Sequence, residues 1–189
     1  MKAADPVAVR KSRLFLLLIV LAFVAPMIVA GLLSWSGWQP GTRGNGEPIL
    51  PQRNFVDEQL RVQLANGETY AWRDSQPRLT LVALAGPDCA AHCLATLTSM
   101  AAARVTLNRN QSRLRLLYLG TPPADDARDG MRNYWQRGTD VDGKLAGFRP
   151  ITPDSVSALL VESNGTALSL YRAGFDPNGL RKDLQKVIK

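Results

Sequence analysis

The stretch "LFLLLIVLAFVAPMIVAGLL", Leu14 to Leu33, runs twenty residues without a charge. At ~1.5 Å of rise per residue it covers the ~30 Å hydrocarbon core of a bilayer as one helix. A transmembrane helix is therefore expected over 14–36, with Pro26 tolerated in lipid and Trp35 and Trp38 placed for the interfacial belt. The basic cluster Arg10, Lys11 and Arg13 precedes the span, and Arg43 is the first charge after it. The positive-inside rule then puts residues 1–13 in the cytoplasm and everything after the span in the periplasm, a single-pass inner-membrane topology. The competing reading is a signal peptide cleaved after the "IVA" ending at Ala30, against which the length of the apolar run argues.

The formal charge of +7 divides into +3 on the first 13 residues and +4 on the rest. The remainder is only mildly basic, with bases interleaved among acids, so nucleic acid is a poor partner on charge and on compartment. Residues 37–54, including "GTRGNG", are rich in Gly, Pro and polar residues and read as a tether. The folded domain is expected over 55–189.

Within that domain "RVQLANGETYAW" alternates about an Asn-Gly pair, the signature of a hairpin. "LTLVALAG" and "RLRLLYLG" are apolar runs stopped by glycine and read as central strands. Between them Ala90 to Leu107 reads as a helix, with Cys93, Leu97, Met100 and Arg104 along one stripe and Asp88 at the N-cap position. A short helix is expected near 130–137, around Tyr134 and Trp135. "VSALLVES" and "TALSLYRAG" flank a second Asn-Gly turn, and "DPNGLRKDLQKVIK" closes the chain as a helix with Leu180, Leu184, Val187 and Ile188 on one face. The order of elements implies an α/β fold, a mixed sheet flanked by helices.

Both cysteines and the single histidine fall within "GPDCAAHC", residues 86–93. A Cys89 at the start of a helix has its thiolate stabilised by unpaired N–H groups and the positive end of the helix dipole. Cys93 follows one turn later, near 6 Å away between Cα atoms, close enough for a reversible disulfide or for a shared soft ion such as Cu(I). A permanent structural disulfide and inert thiols are the alternatives. His92 points about 100 degrees away from Cys93, which favours the rim over the sulfurs, although a role as third ligand or local charge stays open.

Asp125 and Asp126 have no histidine nearby. Asp140 and Asp142 lack the remaining ligands of a calcium loop. One histidine lodged between two cysteines supports no Ser/His/Asp hydrolase.

The element order, with two cysteines between the first central strand and its helix, resembles the thioredoxin fold. "LAGPDCAAHC" and "LLVESNGTALSLYRAGFDPNGLRKDLQKVI" are similar to the corresponding segments of the Sco/SenC group, membrane-tethered thioredoxin-like proteins that assist the copper site of cytochrome c oxidase. The resemblance implies a periplasmic assembly factor, partnered by oxidase subunits or their assembly factors. It implies action by thiol redox or copper handling through Cys89 and Cys93. It also implies a distal histidine as third copper ligand just before the closing hairpin. That region reads "RPITPDSVSALL" and has none; Asp154 is the nearest polar substitute. Thioredoxin-like redox proteins further carry a cis-proline opposite their cysteines, for which Pro150 and Pro153 are the candidates. A non-catalytic oxidase-associated module and a general thiol-disulfide reductase are the other functions compatible with these residues.

Overall fold

A computed structural model describes residues 6–35, 44–121 and 133–188, with side chains described from residue 15 onward except at 17 and 34. The chain forms two compact units, Met1–Arg43 and Gly44–Lys189. In the first, α1 (Pro6–Trp35) is a 30-residue helix that contains Pro26. Its described large apolar side chains, among them Phe15, Leu21, Phe23 and Met27, are exposed. Judged on the described residues alone, no helix is long and apolar enough to cross a membrane.

The second unit is built on a seven-stranded mixed sheet in the order β1-β7-β6-β3-β4-β5-β2. Its strands are β1 (Glu47–Pro48), β2 (Val62–Leu64), β3 (Leu79–Ala85), β4 (Leu114–Leu119), β5 (Gln136–Asp140), β6 (Val156–Glu162) and β7 (Ala167–Tyr171). β3 sits at the centre, parallel to β4 and antiparallel to β6. Two adjacent parallel strands need a crossover, and α2 (Ala91–Val105) supplies it.

The apolar run of β3 is buried on both faces, which is why it does not alternate with polar residues. Leu81, Ala83 and Ala85 face one core with Cys93, Leu97 and Met100 of α2 and Leu180 and Leu184 of α3 (Pro177–Val187). Val82 and Leu84 face a second core with Phe55, Leu60, Tyr70, Trp72 and Leu145. Both described α-helices of this unit thus cover one face, and side chains from loops and from the short 3-10 turn Ala146–Phe148 close the other.

Several sequence expectations are revised. The unit begins at Gly44 rather than Phe55: Glu47 and Pro48 pair with β7, and Asn45 donates to Asp183 from its backbone nitrogen (2.6 Å) and its side chain (3.1 Å). Part of the tether is therefore an edge of the fold.

The first Asn-Gly turn forms, with Gly67 at φ 87° in the left-handed region that glycine tolerates. Its second arm is held by an isolated bridge, Gln63 to Thr69, with Leu64 N donating to Glu68 O at 2.7 Å and Tyr70 N to Val62 O at 2.8 Å, rather than by a full strand. Tyr70 and Trp72 are instead drawn into the core, where the Tyr70 hydroxyl lies 2.8 Å from Thr80 Oγ1 and the Trp72 indole donates to the Leu60 carbonyl at 2.9 Å. Around Trp135 the chain is extended: Gln136–Asp140 is a strand parallel to β4, and Trp135 is buried. The start of the helix expected there, the aspartates 125 and 126, and Trp38 lie outside the described residues.

The closing hairpin and helix form as read, with Gly165 at φ 90° in the turn and Asp176 capping α3 through Asn178 N and Gly179 N. Val187 departs from the expected apolar stripe and is exposed, whereas Leu180, Leu184 and Ile188 are buried.

Candidate functional site

The buried β3 delivers the chain to Gly86, whose backbone nitrogen donates to Ser155 O at 2.9 Å. A Cβ at Gly86 would lie 2.5 Å from the Thr152 carbonyl oxygen, so the residue must be glycine for the 150–155 loop to sit this close. Pro87 and Asp88 turn outward. Cys89 is half-buried just ahead of α2, and Cys93, in its first turn, is completely buried among the core side chains.

The two cysteines form a disulfide with Cα atoms 5.1 Å apart. That is shorter than the spacing of a regular helical turn because Cys89 precedes the helix. The bond is asymmetric in access: one sulfur belongs to a half-exposed residue and the other to the core.

The helix start is capped from another part of the chain. Ala90 stands at the N-cap position and has no capping side chain of its own. Asp88, expected there, instead accepts from the backbone nitrogen of Asp154 at 2.7 Å. Asp154 supplies the cap: Oδ1 accepts from Ala90 N and Cys93 N, both at 2.8 Å, and Oδ2 from His92 N at 2.9 Å. These bonds, led by those from Cys93 and His92, hold its carboxyl below the ordinary range. Asp154 itself adopts φ 49°, a left-handed conformation that Asp tolerates better than most residues.

His92 is exposed, as its helical position implied, and its Nδ1 lies 3.3 Å from the Asp154 carbonyl oxygen. The peptide bonds before Pro150 and Pro153 are not cis; among the described residues only Leu50–Pro51 is. Asp140 and Asp142 do not form a cation site together. Asp140 Oδ2 accepts from Leu145 N at 2.8 Å, while Asp142 pairs with Arg61 at 2.6 Å.

The donor set is incomplete for copper. The two sulfurs are bonded to each other, and both carboxylate oxygens of Asp154 are occupied by N–H groups. Among the described residues no group of three His, Cys, Asp or Glu side chains is placed to hold a metal. Reduction would free at most a two-sulfur seat, so the residues present do not complete the three-ligand site that the resemblance implies.

A sequence model of the family described as "Transmembrane-like, thioredoxin-like, C-terminal domain" matches residues 79–189. The chain belongs to this family. No curated protein sequence matches it.

Among solved structures, the transmembrane-like thioredoxin-like chain is similar to copper-bound ScoI of Arabidopsis thaliana. The TM-score is 0.50 at 11% identity, over 76% of this chain and 97% of that one. It is also similar to BsSco, a member of the Sco family of cytochrome c oxidase assembly proteins in which a disulfide switch was identified. There the TM-score is 0.47 at 13% identity, over 76% and 99% of the two chains. Peroxiredoxin Q of Xanthomonas campestris matches with a TM-score of 0.49 at 10% identity, over 76% and 96%. At these identities the likeness to ScoI shows a shared thioredoxin-like fold.

Proposed function

We propose that this protein is a membrane-anchored thiol-disulfide exchange factor whose domain faces the periplasm, with Cys89 as the entry sulfur and Cys93 as the resolving one. The observation that carries the reading is the asymmetric disulfide at the β3–α2 junction, half-exposed at Cys89 and buried at Cys93. A bond whose purpose was to staple the fold would gain less from closing a loop this short than from closing a long one.

In the reaction a thiolate of a partner dithiol attacks Cys89 Sγ, the bond between the two protein sulfurs breaks, and Cys93 leaves as a thiolate that takes up a proton. The second partner thiol, on losing its proton, then displaces Cys89 from the mixed disulfide. The net change is two electrons and two protons to the Cys89–Cys93 pair, with the partner oxidised to a disulfide. The reverse sequence reduces a partner.

For the client we propose the cysteines of cytochrome c oxidase or of its assembly factors. The support is the similarity of "LAGPDCAAHC" and of the closing hairpin and helix to the Sco/SenC group. Copper carriage finds no support in the donor set.

The test is oxidase assembly in a host carrying Cys89→Ser or Cys93→Ser, beside disulfide exchange by the purified full-length chain. Loss of both activities is expected. Normal oxidase in both variants would remove the client assignment, and unchanged exchange would remove the reaction itself.

A further inference from the structure

Thioredoxin-like sites ordinarily leave the first N–H groups of the helix open toward the leading sulfur, where they stabilise its thiolate. Here most of those groups are taken. Ala90 N, His92 N and Cys93 N all donate to the Asp154 carboxylate, which arrives from the loop before β6. Asp154 is fastened in turn by its own backbone nitrogen to Asp88, so two carboxylates stand beside the cysteine pair. His92 is the one basic side chain within the motif, and its ring nitrogen is turned to the Asp154 carbonyl oxygen.

We infer that Asp154 is a positioning residue that sets the redox poise of the pair, withdrawing the helix N-terminus from Cys89 and placing negative charge beside it so that the disulfide is favoured over the dithiol. The inference deepens the exchange function proposed above and rests on it.

The effect is one of linkage. The disulfide is neutral, whereas the dithiol form gains stability from whatever stabilises a thiolate at Cys89. Donors already occupied by a carboxylate cannot be offered to that thiolate, and the carboxylate charge opposes it. Both effects act in the same direction. The pair is thereby made a better reductant when reduced and a poorer oxidant when oxidised.

The experiment uses the full-length chain in detergent, equilibrated with dithiothreitol in its reduced and oxidised forms at pH 7, with thiols counted by alkylation and mass. The electron balance is simple: two electrons and two protons pass between dithiothreitol and the Cys89–Cys93 pair. Asp154→Asn keeps one side-chain oxygen for Ala90 N and Cys93 N and tolerates the left-handed backbone; Asp154→Ser is a second neutral cap.

The expected result in both variants is a shift of about tenfold toward the dithiol, equivalent to about 30 mV, together with faster alkylation of Cys89. A purely structural cap would lower the melting temperature and leave this equilibrium unmoved. Folded variants that stay within twofold of the natural chain would overturn the inference while leaving the exchange function standing. A natural chain that does not exchange at all would overturn both.

Discussion

Oδ1 of Asp154 lies 2.8 Å from the backbone nitrogen of Cys93, a residue 61 positions earlier in the chain. That contact joins the loop before β6 to the first turn of α2 and makes the cysteine motif a product of two distant segments. The central sheet brings them together, because β3 and β6 are antiparallel neighbours in register from Leu79–Glu162 to Ala85–Val156.

The two cysteines should not be equivalent on substitution. Cys93→Ser leaves a half-exposed Cys89 thiol and should accumulate mixed disulfides with a small thiol or a client. Cys89→Ser leaves Cys93 buried at 0% exposure and should accumulate none. Non-reducing electrophoresis and intact mass measure the difference. Each variant should lose about 2 kcal/mol of stability in the chain-entropy account of a short disulfide loop.

Gly86→Ala should weaken both fold and site. Its Cβ would meet the Thr152 carbonyl oxygen at 2.5 Å, a backbone atom with little room to retreat. Overpacking of this kind costs about 1–3 kcal/mol. Thermal unfolding should show that loss, and the thiol-disulfide equilibrium should move toward the dithiol, as in Asp154→Asn, because the loop carrying Asp154 is displaced. An unaltered melting temperature would mean that the loop yields freely.

The central strands, α2 and the closing hairpin and helix were legible from sequence because each is specified locally, by an uninterrupted apolar run, a helical stripe or an Asn-Gly turn. The cysteine pair was legible for the same reason. Asp154 as the cap was not: nothing within four residues of the helix start encodes it, and Asp88 satisfied the local rule while serving a different partner. Glu47–Pro48 escaped as a strand because two residues carry no periodicity, and their pairing with β7 exists only once the sheet is assembled. The second arm of the first hairpin pairs only briefly, through Thr69 and Tyr70, before the chain turns to bury Trp72, a tertiary preference that alternation cannot reveal.

The contact between the N-terminal edge and α3 should be pH-dependent. Burial pushes the Asp183 carboxyl up, but hydrogen bonds from Asn45, Tyr171 and Lys186 outweigh it, and the group lies below its ordinary value. A carboxyl depressed on folding contributes stability that is fully present above its unfolded pKa of about 4 and is lost as pH falls through the folded value. Denaturant unfolding should therefore show stability declining below about pH 4 and a shallower decline in Asp183→Asn. Asp183→Ala, which strands the Asn45 and Tyr171 donors, should cost about 2 kcal/mol at neutral pH.

The proposed anchor is tested by fractionation. The full chain should stay with membranes through alkaline extraction and leave only with detergent, and a cysteine label applied outside the cytoplasmic membrane should reach Cys89 in Cys93→Ser. Release by alkali, or labelling only after the inner membrane is opened, would contradict the proposed topology.

The most direct test of the central claim is a redox titration of the natural full-length chain against dithiothreitol, following thiols by mass. The account predicts that two thiols appear and vanish together as one reversible two-electron couple at a potential above about −300 mV, the level below which structural disulfides lie. A pair that stays closed below that level, or that opens only when the domain unfolds, would contradict it.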